Sequence, residues 1–363
     1  MPRRPSPSAA HIPPRRGSLR RSHGILAVAA AVVLLAGCTA PAPGIDPGSE
    51  DAQGATETAA PLDFALAIHG GAGALPDDLS EERKQGYLDD LSKALQHGRD
   101  RLAEGAPSLD VVQEVVRILE DSPLFNAGKG AVFTHEGRNE LDAAIMDGRD
   151  LNCGSVAGVT TIKNPVDLAR AVMEESRHVF FTGAGAEQFA AEQGIETVEP
   201  EYFFVQSRYD SLQRALERES AAGAEDEKRG TVGAVALDRD GNLAAATSTG
   251  GLTNKRFGRV GDVPVIGAGT YANNATVAVS CTGIGEQFIR NNIAHDVSAL
   301  VEYEGLSVEA AAQEAIGKLD PGDGGLIAVG RTGEIALVFN SASMLRGAAD
   351  SNGRFEVAIW GSP

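Results

Sequence analysis

The chain has 363 residues, 42% of them apolar and 23% charged, which supplies a sizeable core and excludes both a globally disordered chain and a polytopic membrane protein. Aromatic residues make up only 5% and glycine fills 43 positions with no repeating period, so small-residue packing is expected and collagen-like or repeat architectures are excluded. With 32 Lys and Arg against 50 Asp and Glu the formal net charge is −18, a field that repels phosphate backbones and anionic headgroups and argues against nucleic acid as a partner.

Residues 1–37 read as an export signal. Six arginines and no acid precede an apolar run from Ile25 to Ala36, which is well short of the ~20 residues that a spanning helix needs. The run ends in Leu35-Ala36-Gly37-Cys38, similar to a bacterial lipobox in which the Cys38 thiol takes a lipid. Ordinary cleavage near Ala36 or Ala40 is the alternative. The lipoprotein reading places the protein in the bacterial cell envelope, exported and touching a membrane only through its lipid anchor. Without the signal, 26 Lys and Arg face 50 acids, a net of −24. Residues 38–62, rich in Ala, Pro, Gly, Ser and Thr, read as a disordered tether. Cys153 and Cys281 then remain as two small buried thiols, a single bridge between them being the other arrangement open to an exported chain.

The folded part starts at Phe64. Phe64, Leu66 and Ile68 alternate with small residues as in a strand, which runs into His69-Gly70-Gly71-Ala72-Gly73 as a glycine turn. Leu88, Leu91, Leu95 and Leu102 share one face of a first helix. Leu109, Val112, Val115 and Leu119 do so in a second, with Ser108 as its N-cap. A loop around Phe125-Asn126-Ala127-Gly128 leads through further strand and helix signals to Phe203. Residues 206–230 are dense in charge and read as a solvated helix and linker, a flexible acidic segment. After it come strands at 231–237, 243–248, 277–282, 325–329 and 334–339, with helices at about 285–303 and 307–318. Hairpins flanked by helices suggest sheets packed together and covered by helices on their outer faces.

Several familiar chemistries find no motif. The sequence holds no His-Glu-x-x-His, no Cys-x-x-Cys and no Gly-x-Ser-x-Gly. Gly267-Ala268-Gly269 lacks the helix and crossover unit of a dinucleotide site and reads as a turn.

The informative blocks are Gly230-Thr231-Val232-Gly233-Ala234-Val235-Ala236, Thr247-Ser248-Thr249-Gly250-Gly251, Gly258-Arg259-Val260-Gly261-Asp262 and Cys281-Thr282-Gly283-Ile284-Gly285-Glu286. In this order they resemble the plant-type L-asparaginase and isoaspartyl peptidase family of N-terminal-nucleophile hydrolases. Phe64 to Ala74, Pro123 to Phe133, Glu140 to Gly148 and Gly154 to Val159 resemble the family's first subunit. The likeness thus runs from Phe64 to about Met344, with a divergent tail beyond.

The chemistry has its own logic. A threonine hydroxyl is a poor nucleophile at neutral pH, and an α-amino group with a pKa of roughly 7.7–8.0 is a suitable base only once the preceding peptide bond is cut. Taken alone, Thr231 is a β-branched residue opening a strand. Arg259 and Asp262 alone read as a surface salt bridge in a Gly-rich turn.

The resemblance implies more: an α+β fold built as a four-layer αββα sandwich, a single domain cut between Gly230 and Thr231 into an alpha subunit (63–230) and a beta subunit (231–363), and a heterotetramer of two of each. It implies that Thr231 attacks the side-chain amide carbon of L-asparagine or of a β-aspartyl dipeptide, and that Thr249 tunes it. Thr282 and Gly283 would form the oxyanion hole, where a donor is worth roughly 3–4 kcal/mol. Arg259 would hold the substrate's α-carboxylate and Asp262 its α-ammonium, flanked by the substrate-binding backbone of Val260, Gly261, Ile284 and Gly285. Asn126 would help to place the nucleophile. The loop carrying Leu119, Glu120, Ser122, Phe125, Ala127 and Lys129 would hold a structural sodium ion through main-chain carbonyls, and the chemistry would need no cofactor. Glycosylasparaginase is the nearest alternative enzyme, Thr253-Asn254-Lys255 favouring the asparaginase side. A threonine endopeptidase and a non-catalytic, lipid-tethered amino-acid binding protein are the others.

Overall fold

Alternation decides the first strand. In the computed structural model, which describes residues 62–73, 75, 79–220 and 230–361, β1 runs from Ala65 to Gly73. Leu66 and Ile68 enter one core cluster while Ala65 and Ala67 enter another, as the two-residue repeat of a strand requires. The expected signal peptide, Cys38, the tether as far as residue 61 and the acidic residues 221–229 lie outside the described residues.

Two helices follow, α1 (Glu81–Ala103) and α2 (Ser108–Glu120). α1 buries Leu91, Leu95 and Leu102 as the periodicity predicts, but Tyr87 replaces Leu88 on the buried face and packs its ring on Phe125 at 5.8 Å. Ser108 is the first helical residue rather than the cap. Pro107 holds the cap position in extended backbone, and the Ser108 N–H is satisfied by the Asp238 carboxylate at 2.9 Å, a distant side chain that no local pattern announces.

The chain continues through β2 (Leu141–Asp147), β3 (Cys153–Val159), α3 (Pro165–Glu175), β4 (Phe180–Thr182) and α4 (Gly183–Gln193). The segment expected to be flexible opens with an ordered helix, α5 (Gln206–Ser220). It buries Arg208, Ser211 and Leu212, and it is held near both ends: Arg208 Nη2 donates to the Leu124 carbonyl at 2.8 Å, and the Glu219 carboxylate accepts from Arg256 at 2.9 Å. Next come β5 (Val232–Leu237), β6 (Leu243–Thr249), β7 (Thr270–Ala272) and β8 (Val277–Gly283).

The long helix expected over 285–303 is broken into α6 (Gly285–Asn291) and α7 (Ile293–Ala299), followed by a π-helical turn at Leu300–Glu304. Asn292 sits between them in the left-handed region at φ 50°, a conformation that asparagine tolerates. The amides freed at the start of α7 are satisfied by the turn at Gly267 and Ala268, whose carbonyls accept from His295 and Ala294 at 2.8 and 3.2 Å. Gly267-Ala268-Gly269 is indeed a turn, and this is its structural task. α8 (Val308–Gly317), β9 (Gly324–Gly330), β10 (Ile335–Phe339), β11 (Ser343–Asp350) and β12 (Phe355–Ala358) complete the described chain.

Among the described residues the strands form an eight-stranded sheet, β12-β11-β1-β5-β6-β2-β3-β4, and a four-stranded one, β10-β9-β8-β7. All pairs are antiparallel except β3 with β4. The stretch His69 to Gly73, expected as a turn, remains in β1, where a register shift between His69 and Gly71 against β11 marks a bulge. The tail beyond Met344 is no appendage, since β11 pairs with β1 along the whole strand.

Small residues fill the gap between the sheets. Ala65, Ala67, Val235 and Ala245 meet Ala278, Ile327 and Val329. On the opposite face of the large sheet, Leu66, Ile68, Ala234 and Ala246 share a cluster with Leu91, Leu95, Val112 and Val115 of α1 and α2. Val277, Val279 and Leu326 of the small sheet do so with Val297, Ala311 and Ala315 of α7 and α8. Low aromatic content and tight sheet-on-sheet packing are one fact seen twice. The result is a mixed α+β unit. Both cysteines among the described residues are free, Cys281 buried and Cys153 partly exposed, so only the first matches the expected buried thiol. No helix among the described residues is long and apolar enough to cross a membrane.

Leu95 is fully buried between α1 and the large sheet, distant in sequence from every candidate site residue. Leu95→Ala is expected to destabilise the fold by roughly 2–5 kcal/mol, read as a lower urea midpoint with an unchanged m-value in a Thr231→Ala background that is expected to stay one chain.

Candidate active site

Thr231 stands directly before β5, and the register that pairs Val232 with Ser248 carries it opposite Thr249 at the end of β6. Its Oγ1 donates to Thr249 Oγ1 at 3.1 Å, and Thr249 Oγ1 also accepts from the Gly251 N–H at 3.0 Å. Both threonines are buried. Gly230, with φ 68°, takes a left-handed conformation that β-carbon-bearing residues avoid. The approach of β1 is equally demanding, since a β-carbon on Gly71 would come within 2.4 Å of Gly230 Cα.

The fully buried His69 pins the backbone of Thr231. Its Nδ1 lies 2.9 Å from the Thr231 carbonyl and its Nε2 2.8 Å from Ser280 Oγ. Burial pulls its pKa down to about 3, so the ring is neutral. A carbonyl can only accept, so Nδ1 carries the proton and Nε2 takes the serine hydroxyl hydrogen. Ser280 Oγ is linked in turn to Thr247 Oγ1 at 2.7 Å, and Thr247 to Thr270 at 2.7 Å. This buried polar chain runs beneath Thr231 and joins both sheets.

Thr282 and Gly283 end β8. The Ala72 N–H of β1 donates to Thr282 Oγ1 at 3.1 Å, which occupies a lone pair and leaves the hydroxyl hydrogen for an oxyanion. Strand β1 therefore touches Thr231, the expected nucleophile, through His69, the preceding residue through Gly71, and the expected oxyanion donor through Ala72.

The pocket in front of Thr231 is lined by Gly230, Thr231, Thr249, Gly251, Leu252, Arg259, Gly261, Asp262 and Gly283. With Gly230 in place it encloses only about 10 Å³, less room than a ligand needs. Arg259 and Asp262 do not pair with each other, contrary to the surface salt bridge that two such charges suggest. The Arg259 fork is held by Glu286 instead, Nε to Oε1 and Nη2 to Oε2, both at 2.9 Å. Asp262 is buried, its Oδ2 has no hydrogen-bond partner, and burial raises its pKa to about 7 against the opposing pull of Arg259. A buried carboxylate oxygen without a donor is costly unless a cationic ligand supplies one. Gly285 is the spacer, since a β-carbon there would lie 2.9 Å from both Arg259 Nη2 and Asp262 Oδ1.

Other expected site residues border the pocket rather than line it. Asn126 is a clamp: its Nδ2 donates to the Gly251 carbonyl at 2.7 Å and its Oδ1 accepts from Val132 N at 2.9 Å, fixing the turn after β6 beside Gly230. Val260 and Ile284 are half-buried neighbours, and the Ile284 N–H bonds to the Asp323 carbonyl at 2.8 Å. In the loop from Leu119 to Lys129, β-carbons added at Gly128 and at the following Gly130 would meet the Glu120 carbonyl at 2.4 Å and the Phe125 carbonyl at 2.0 Å, so main-chain oxygens pack closely against that turn. Among the described residues no cluster of His, Cys, Asp and Glu is suited to a metal ion.

Sequence reasoning gave no role to His69, Ser280, Lys255, Asp142 or Glu286. Lys255 is buried and its Nζ donates to the Glu140 carbonyl at 3.0 Å. It also offsets the charge of buried Asp142, which stands opposite Thr249 in the sheet and is pushed up in pKa by burial. The only signal was position: His69, Asp142, Lys255 and Glu286 each sit inside a stretch already singled out for its wording, and Ser280 adjoins one.

A family model described as Asparaginase matches residues 62–359, past the point where the tail was expected to diverge. Among curated relatives, the isoaspartyl peptidases of Salmonella typhimurium and Escherichia coli are each 52% identical over 292 residues, 77% of this chain and 93% and 91% of theirs. The isoaspartyl peptidase/L-asparaginase of Mus musculus is 43% identical over 302 residues, 82% of this chain and 91% of its own.

Asp262 can hold an ammonium only when ionised, and Arg259, Glu286 and Asp142 are the charges that act on it. Below its pKa of about 7 the KM for an amino-acid substrate such as L-asparagine should climb, by up to about tenfold per pH unit. Asp262→Asn should show a high KM that no longer changes with pH, and steady-state kinetics from pH 5 to 8 tests both.

Proposed function

The chain belongs to the asparaginase family, and on that footing we propose that it is a self-cleaving threonine amidohydrolase that hydrolyses isoaspartyl dipeptides and L-asparagine, releasing aspartate. The observation that carries this reading is the buried Thr231–Thr249 hydroxyl pair facing a pocket that holds a guanidinium and a carboxylate with one partnerless oxygen. A site that offers one cation and one anion at close quarters suits the free α-carboxylate and α-ammonium of a β-aspartyl group, not the interior of a polypeptide. The names of the relatives favour this substrate class over glycosylasparagine and over simple amino-acid capture.

Maturation comes first. The Thr231 hydroxyl attacks the Gly230 carbonyl, the acyl group passes from nitrogen to oxygen, and water releases it. The cut frees the Thr231 amine and removes Gly230 from the pocket wall. In turnover the same hydroxyl gives its proton to that amine and attacks the substrate's side-chain carbonyl carbon, while the Thr282 hydroxyl and Gly283 N–H receive the oxyanion. Ammonia or an amino acid leaves with a proton, and water then hydrolyses the aspartyl ester.

We place the two sheets and their helices in the four-layer αββα arrangement of N-terminal-nucleophile hydrolases, and the active form as two alpha and two beta subunits. The carbonyl-lined loop at Leu119, Glu120, Ser122, Phe125, Ala127 and Lys129 fits a hard monovalent cation such as sodium, which would brace Asn126 from behind and take no part in bond making. Cys38 would carry the lipid that keeps the enzyme in the cell envelope.

Thr231→Ala should remain a single chain and be inactive, whereas Thr231→Ser should mature slowly. N-terminal sequencing of the smaller wild-type band should begin Thr-Val-Gly-Ala-Val, and a fully active enzyme that stays uncut would overturn the mechanism. For the anchor, Cys38→Ser should leave the membrane fraction and lose lipid labelling; unchanged fractionation would refute lipidation.

A further inference from the structure

Arg259 and Asp262 present opposite charges to one small pocket, yet they form no ion pair. Nothing in their chemistry keeps them apart. Asp262 Oδ2 lacks a donor, and Arg259 Nη2 and Asp262 Oδ1 both lie around Gly285, each 2.9 Å from where its β-carbon would be. A modest swing of the guanidinium would satisfy the buried carboxylate and cancel both charges before a substrate arrived.

What opposes the swing is Glu286, in the first turn of α6. Its two oxygens take Nε and Nη2, the outer edge of the guanidinium, in a bidentate pair. The remaining nitrogen, Nη1, then points inward, 2.9 Å from where a β-carbon of Gly261 would sit and 3.5 Å from that of Gly251, two glycines that line the pocket. Glu286 is itself partly exposed, and its hydrogen bonds with Arg259 keep its carboxyl below the usual range, so it stays ionised in the working pH range.

We propose that Glu286 is a positioning residue which holds Arg259 off Asp262 and so keeps both charges open for a zwitterionic substrate. This deepens the reading of the pocket given above and rests on it. Glu286 touches no reacting atom, so its loss should act on substrate recognition and not on bond making or on maturation.

The test compares Glu286→Ala, Glu286→Gln and Glu286→Asp with Arg259→Ala, each assayed on L-asparagine and on its α-amide, which keeps the ammonium but has no α-carboxylate. Glu286→Ala should self-cleave normally and raise the KM for asparagine by about tenfold to a hundredfold with kcat within about threefold. Its preference for asparagine over the α-amide should fall toward that of Arg259→Ala. Glu286→Gln should resemble Glu286→Ala, because a neutral amide cannot match the fork, and Glu286→Asp should recover part of the loss. If Arg259→Ala loses the preference while Glu286→Ala and Glu286→Gln keep wild-type KM and preference, the proposal is wrong and the pocket reading stands. If Arg259→Ala also keeps the preference, the assignment of Arg259 to the α-carboxylate fails first.

Discussion

The contact between two glycine backbones, Gly71 of β1 and Gly230 before β5, governs the rest of the site. A β-carbon at Gly71 would overlap Gly230, so the strand can lie this close only because Gly71 has no side chain. Closeness then has three effects. His69 reaches the Thr231 carbonyl, the Ala72 amide reaches Thr282, and the bulge between His69 and Gly71 sets the spacing of both. The residue before Thr231 takes a left-handed turn that glycine adopts without penalty and that a β-carbon would strain.

Buried charge is the second theme. Asp262, Asp142, Glu120 and Lys255 are all buried, and each is pushed by burial toward its neutral form. Such groups weaken a fold rather than strengthen it. Of these, Asp262 lines the pocket, and its partnerless oxygen fits a site whose electrostatics are completed by the ligand, with stability supplied elsewhere by the alanine and valine packing between the sheets.

Much of this was legible in the sequence because the chemistry demands particular residue types. Thr231, Thr249, Arg259 and Asp262 lie in short glycine-rich blocks, and the structure gathers them round one pocket. The helices on Leu91, Leu95, Val112 and Val115 followed from their period. What escaped depends on partners distant in the chain. Ser108 looked like a cap until Asp238 took that task, and Asn292 breaks a periodic helix because the Gly267 turn offers carbonyls to the new end. Glu286 was visible as the last residue of a block, but its use in restraining Arg259 is a matter of geometry that spacing cannot express.

The order of the large sheet, β12-β11-β1-β5-β6-β2-β3-β4, has a consequence for the lifetime of the enzyme. Residues before Gly230 supply β1 and the run β2-β3-β4, while residues after it supply β12-β11 and β5-β6, so the two pieces alternate like interlaced fingers. Under the proposed cut before Thr231 no covalent link would hold them, yet neither could leave without tearing ladders on both sides of β1. Denaturation of the cut form therefore ends in two separate chains, and recovery becomes a second-order encounter that dilution defeats. Durability after maturation is a matter of how slowly the sheet opens, not of how readily it would close again.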